Sequence, residues 1–177
     1  MGFVDDFHNK YSTGGLQHLT GELIRKVVGE KKFQSCTKFS VVRNPYTKSK
    51  SQFEYMKTRP DLRKFVGMEI ETPFESYLKL ITKIDHVQWM KQSSFLCSSK
   101  GELLVDQILR FENFPNEVSE FFRSHNIAFK EIPHLNRSTY REGEELLTPT
   151  AISAINEIYE EDFELFGYER LVVQRFL

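Results

Sequence analysis

Residues 37–57, Thr-Lys-Phe-Ser-Val-Val-Arg-Asn-Pro-Tyr-Thr-Lys-Ser-Lys-Ser-Gln-Phe-Glu-Tyr-Met-Lys, constrain this chain more than any other stretch. Phe39, Val41 and Val42 open it with an alternating, β-branched pattern that suits a short buried strand. Arg43, Asn44 and Pro45 break that pattern. Asn44 is a good N-cap, and Pro45 falls at the first helical position, where its missing N–H costs nothing. Nothing from Tyr46 to Lys57 forbids a helix, so the unit reads strand, tight turn, helix. A helix N-terminus at the end of a strand offers free N–H groups and the positive end of a dipole. Arg43, Lys48, Ser49, Lys50 and Ser51 all lie near that end, and together they suit a phosphate. The competing reading is a surface helix whose lysines and serines are solvated.

The 177 residues suit one domain, 1–177, with a core of ordinary size. A formal net charge of −1 argues against nucleic acid as a partner, while leaving room for a local basic patch at 43–50. No apolar run approaches the roughly 18 residues of a membrane span, and the N-terminal Met-Gly-Phe-Val-Asp-Asp is not a signal peptide. Cys36 and Cys97 lie far apart without ligand spacing, so they read as reduced thiols, with no metal and a cytoplasmic setting.

Other segments place the remaining elements. Thr20 is expected to cap a helix to Val28, with Leu19, Leu23 and Val27 on one face and Gly29 at its end. Thr72-Pro73-Phe74-Glu75 reads as an N-cap, a first-position proline and a capping-box glutamate. The stripe Phe74, Tyr77, Leu78, Ile81 and Ile84 is core. Lys100-Gly101 marks a hairpin-like turn, and residues 103–111 are strand-like. Residues 117–124 suit a short helix with Val118, Phe121 and Phe122 inward. Thr148-Pro149 opens the last helix, which buries Ile152, Ile155, Ile158 and Tyr159.

Val-Arg-Asn-Pro-Tyr at residues 42–46, with Ser51 eight residues after Arg43, resembles a known motif. It is similar to the 3′-phosphate-binding motif of sulfotransferases that use 3′-phosphoadenosine-5′-phosphosulfate (PAPS). The resemblance implies that Arg43 and Ser51 grip that phosphate. Residues 86–96 resemble a family segment beside the acceptor cleft, which implies a sugar-binding surface of His86, Trp89 and Gln92. The alternative there is a Trp anchoring the edge of the core beside a satisfied His. Arg110-Phe111-Glu112-Asn113-Phe114 resembles a box at the end of a core strand, in which Glu112 is read as structural, bracing either that strand-to-helix turn or a cationic neighbour. Residues 133–138 look like a loop on the nucleotide side, implying that Asn136 and Ser138 contact the cofactor. Residues 159–168 match a C-terminal signature, taken as packing. His18 stands where related enzymes carry a catalytic histidine, which implies a general base.

The fold implied is an α/β three-layer sandwich around a mostly parallel sheet, related to P-loop nucleotide kinases. Such proteins normally open with an apolar strand and a phosphosulfate-binding loop. Lys10-Tyr11-Ser12-Thr13-Gly14-Gly15 echoes that loop, but Asp5, Asp6, His8 and Asn9 do not make a strand to feed it. The chain is therefore expected to be N-terminally incomplete. Two readings stay open: a PAPS-dependent sulfotransferase acting on a carbohydrate or other hydroxyl acceptor, or an inactive relative that binds nucleotide or glycan. An uncovered sheet edge would leave room for a homo-oligomer.

Overall fold

The computed structural model describes residues 18–129 and 146–173. Helix α1 (Gly21–Val28) starts where the Thr20 hydroxyl accepts the Leu23 N–H at 3.3 Å. It ends at Gly29, whose φ of +80° favours glycine, and α2 (Glu30–Ser35) follows directly. None of α1 is fully buried, and Leu23 stays 40% exposed, so its expected apolar stripe is only partly covered.

The 37–57 unit folds as β1 (Phe39–Val42) and α3 (Pro45–Lys57). Then come α4 (Pro60–Val66), α5 (Phe74–Ile81) and α6 (Ser93–Leu96). Strand β2 (Gln107–Arg110) leads through a 3₁₀ turn (Phe111–Asn113) into α7 (Phe114–Ser124). Helices α8 (Pro149–Ile158) and α9 (Glu160–Phe166) complete the described residues. No helix among them is long and apolar enough to cross a membrane.

The architecture is mixed α/β. Among the described residues the sheet consists of β1 and β2, paired in parallel with Phe39 opposite Gln107 and Val42 opposite Arg110. Strand alternation sends side chains to opposite faces. Val42 packs with Leu96 of α6 and Phe166 of α9 on one face, while Leu109 packs with Val118 and Phe121 of α7 on the other. The strand expected over 103–111 starts late, because Leu103 instead makes an isolated antiparallel bridge to Cys97. That bridge closes the anticipated turn, with φ of +81° at Gly101.

Helix α3 is the hub of the largest core. Its Tyr46, Phe53 and Met56 meet Leu62 and Val66 of α4, Tyr77 and Leu78 of α5, and Ile155, Tyr159 and Phe163 from the α8–α9 region. The start of α5 differs in detail from expectation. Pro73 is the N-cap and makes no side-chain cap bond, while the Thr72 hydroxyl accepts the Glu69 N–H at 2.9 Å. Glu75 accepts a hydrogen bond from the Thr148 hydroxyl at 2.7 Å, tying α5 to the cap of α8 rather than closing a box on its own helix.

Candidate anion-binding site

The turn between β1 and α3 is built from its own cap and from remote side chains. Asn44 Oδ1 accepts the Tyr46 N–H at 2.9 Å, and Pro45 opens the 13-residue helix. Arg43 lies just past the paired register, so its backbone groups need other partners. The Gln92 side chain supplies both: Oε1 accepts the Arg43 N–H at 2.8 Å, and Nε2 donates to the Arg43 carbonyl at 2.9 Å. Glu112 accepts the Asn44 N–H at 2.8 Å. The Tyr168 hydroxyl reaches Glu112 Oε2 at 2.9 Å and the Val42 carbonyl at 3.3 Å. Gln92 is itself anchored, because the fully buried Asp162 accepts the N–H groups of Gln92 and Ser93 at 2.9 and 2.8 Å.

The Arg43 side chain turns along α3. Its Nε donates to the Thr47 hydroxyl at 3.1 Å, and its guanidinium lies 4.5 Å from the centre of the Phe111 ring. Among the described residues no carboxylate pairs with it. Thr47 and Ser51 are four residues apart, so both hydroxyls share one face of the helix with the guanidinium. A positive fork, hydroxyl groups and a helix N-terminus on one side suit a phosphate-like anion.

Not all of the polar residues expected at this end face it. Ser49 is buried, and its hydroxyl donates to the Pro45 carbonyl at 2.7 Å. Lys48 points inward, where Nζ donates to the Met90 carbonyl at 2.8 Å and lies 4.3 Å from the Tyr159 ring centre. Burial pushes the Lys48 ammonium down to about 8, and the nearby Asp162 carboxylate opposes that change. Ser49 is thus an interior group, and Lys48 is half-buried with its ammonium turned inward toward Tyr159 of the α8–α9 region.

The other predicted residues lie in several places. His18 is exposed with φ of +60° and lines a cavity of about 530 Å³ with Phe39 and Ser40, at the amino-terminal end of β1. Arg43 follows the opposite end of that strand. His86 stacks on Trp89 with ring centres 4.7 Å apart, and its Nδ1 accepts the Gln88 N–H at 3.2 Å. Burial lowers the His86 imidazole below its ordinary range.

Trp89 is only 5% exposed, and its indole N–H donates to the Ile84 carbonyl at 2.6 Å. The ring of Trp89 is therefore largely covered, in keeping with the alternative of a Trp anchoring the edge of the core, and the amide of Gln92 is engaged by the Arg43 backbone. Asn136, Ser138 and the 10–15 segment lie outside the described residues. Sequence reasoning missed Thr47, although its spacing from Arg43 signals it. It also missed Phe111 as a partner of Arg43, which no local pattern marks. A further cleft, about 780 Å³, is lined by Thr20, Glu22, Ser93, Cys97, Glu161 and Glu164. Its carboxylates are committed: Glu22 to Ser99, Glu161 to Lys91 and Glu164 to Arg170.

The chain is thus a mixed α/β protein whose capped strand-to-helix turn carries an arginine with no carboxylate partner among the described residues. The model of the sulfotransferase family matches residues 5–169, and the chain belongs to that family, as a member of the family-2 type. No curated protein and no solved structure matches it. The reaction of the family is sulfuryl transfer.

Proposed function

We propose that this chain transfers a sulfuryl group from PAPS to a hydroxyl of a carbohydrate-type acceptor, with Arg43 and Ser51 holding the donor's 3′-phosphate. The observation that carries this reading is the Arg43 guanidinium. It has no carboxylate partner among the described residues, is pinned by Thr47 and Phe111, and stands at the N-terminus of a long helix. Its planar fork matches phosphate oxygens, and the Ser51 hydroxyl adds a donor on the same face. The residues therefore fit the 3′-phosphate end of the donor.

When bound, the donor supplies the sulfuryl group and a phosphate leaving group. The chain's own residues orient it and manage the proton. In this reading His18 takes the proton of the acceptor hydroxyl, and His86, whose imidazole burial pushes below its ordinary range, stands on the acceptor side. Asn136 and Ser138 are assigned to the nucleotide side, and residues 1–177 to one domain. The helices α6, α9 and α7 on opposite faces of the β1–β2 pair support reading the fold as the P-loop-kinase-like sandwich.

Calorimetric titration with adenosine 3′,5′-bisphosphate, with adenosine 5′-phosphate as control, tests this. Tighter binding of the bisphosphate is expected, and Arg43→Ala should weaken it by about 1.5–3 kcal/mol, the scale of a charged hydrogen bond. Unchanged affinity in that variant overturns the assignment. Binding without sulfuryl transfer to any sugar would make the chain a nucleotide-binding module.

A further inference from the structure

We infer that Gln92 is the positioning residue of the donor site, and that Asp162, within the C-terminal signature, sets Gln92 in place. The inference rests on the reading that Arg43 holds the 3′-phosphate. Arg43 is the first residue after β1, where the ladder with β2 has ended. Without Gln92, neither its N–H nor its carbonyl has a partner among the described residues. One primary amide answers both groups, at 2.8 and 2.9 Å, as a neighbouring strand would. The orientation of the Arg43 backbone, and therefore the direction of its side chain, depends on a residue 49 positions away.

Gln92 has little freedom of its own. Its main-chain N–H is held by Asp162 Oδ2 at 2.9 Å, and the same oxygen lies 3.4 Å from its side-chain nitrogen. Asp162 is fully buried in the first turn of α9, and its other oxygen holds the Ser93 N–H at 2.8 Å. A line of hydrogen bonds thus runs from the interior of α9 through Gln92 to the guanidinium-bearing backbone. A long side chain amplifies small rotations at its root, and misplacing a binding group by about 1 Å can cost on the order of a hundredfold in a preorganised site. The signature at residues 159–168, which reads as packing in the sequence, therefore also aims the phosphate-binding arginine.

The test is a double-mutant cycle read by calorimetry with adenosine 3′,5′-bisphosphate, and with adenosine 5′-phosphate as the control ligand. Gln92→Met keeps the bulk of the side chain and removes its amide. It is expected to weaken the bisphosphate about tenfold and to leave the 5′-phosphate within about twofold. Combined with Arg43→Ala, it should cause no further loss, because the amide acts through Arg43. Wild-type bisphosphate affinity in Gln92→Met overturns the inference. A second tenfold loss in the Arg43→Ala background also overturns it, since Gln92 would then act on the fold at large. Should Gln92→Met fail to fold, Gln92→Asn, which keeps an amide but withdraws it by one methylene, gives the same readout. If Arg43→Ala alone leaves bisphosphate affinity unchanged, the phosphate reading has failed and the inference falls with it. If Arg43→Ala weakens binding and Gln92→Met does not, only the positioning role is lost.

Discussion

Two arginines stand at the ends of two adjacent parallel strands and do different work. Val42 is opposite Arg110 in the register, so Arg43 follows the end of β1 close to where Arg110 closes β2. Each arginine leads through a turn into a helix with proline in its first positions, α3 or α7. In each turn a glutamate accepts a backbone N–H: Glu112 from Asn44, and Glu117 from Arg110. The side chains part company. Arg110 donates to the Phe166 carbonyl at 2.6 Å and lies 4.4 Å from the Tyr168 ring centre, so it staples the end of α9 to the sheet. The Arg43 side chain donates from Nε to Thr47 and rests on Phe111, and its terminal nitrogens have no hydrogen-bond partner among the described residues. The C-terminal segment reaches both strand ends, but it takes the guanidinium only of Arg110, through the Phe166 carbonyl, while at β1 the Tyr168 hydroxyl reaches the Val42 carbonyl and leaves the Arg43 side chain aside.

The comparison breaks first at the buried carboxylate beneath the Arg43 turn. Asp162→Ala should lower stability by about 3–5 kcal/mol, because buried N–H groups and Lys48 lose their acceptor and counter-charge. Urea unfolding reads this, and a loss below about 1 kcal/mol would mean that the C-terminal segment is not the foundation of the site.

Next is Lys48, its ammonium turned inward on the same helix that presents Arg43 outward. Its folded-state value of about 8 lies below the ordinary lysine value of about 10.4. Between the two, the unfolded chain holds a proton that the folded chain has released, so stability rises with pH across that window. Relative to Lys48→Met, the wild-type chain should therefore gain about 3 kcal/mol between pH 8 and pH 10.4. Parallel stability curves for the two would show that the ammonium is not buried.

Arg110→Ala should cost about 2 kcal/mol of stability and leave bisphosphate affinity within about twofold. Arg43→Ala should do the reverse, with stability changed by less than about 0.5 kcal/mol. If both variants lose stability equally, the distinction between staple and ligand group is void. The smallest effect is expected at Ser51. Its change to Ala should weaken the bisphosphate by about 1 kcal/mol without moving the melting temperature, which calorimetry and thermal unfolding together would check.

Local signals in the chain proved legible where physics is local. The cap and proline of the 37–57 unit, the Thr20 cap and the Thr148-Pro149 start depend on residues within about four positions of each other. Glu112 was readable as a brace of the strand-to-helix turn, and it is one, on the turn of the neighbouring strand. Trp89 and Gln92 were less legible, because an exposed sugar platform and a buried anchor use the same residue types. Only their partners, Ile84 and Arg43, distinguish them.

The sequence by itself determined that a phosphate-suited helix N-terminus would follow a short strand, and its ordered motifs pointed to the sulfotransferase family. Tertiary structure alone decided which polar groups reach that end. Helical phase turns Ser49 and the Lys48 ammonium inward and leaves Arg43, Thr47 and Ser51 on the outer face. It also decided what holds the turn still. Gln92, Glu112, Tyr168 and Asp162 come from segments 49 to 126 residues away from the backbone groups they serve or support. Such hydrogen bonds form only once the chain has closed those distances, and no short-range pattern encodes them.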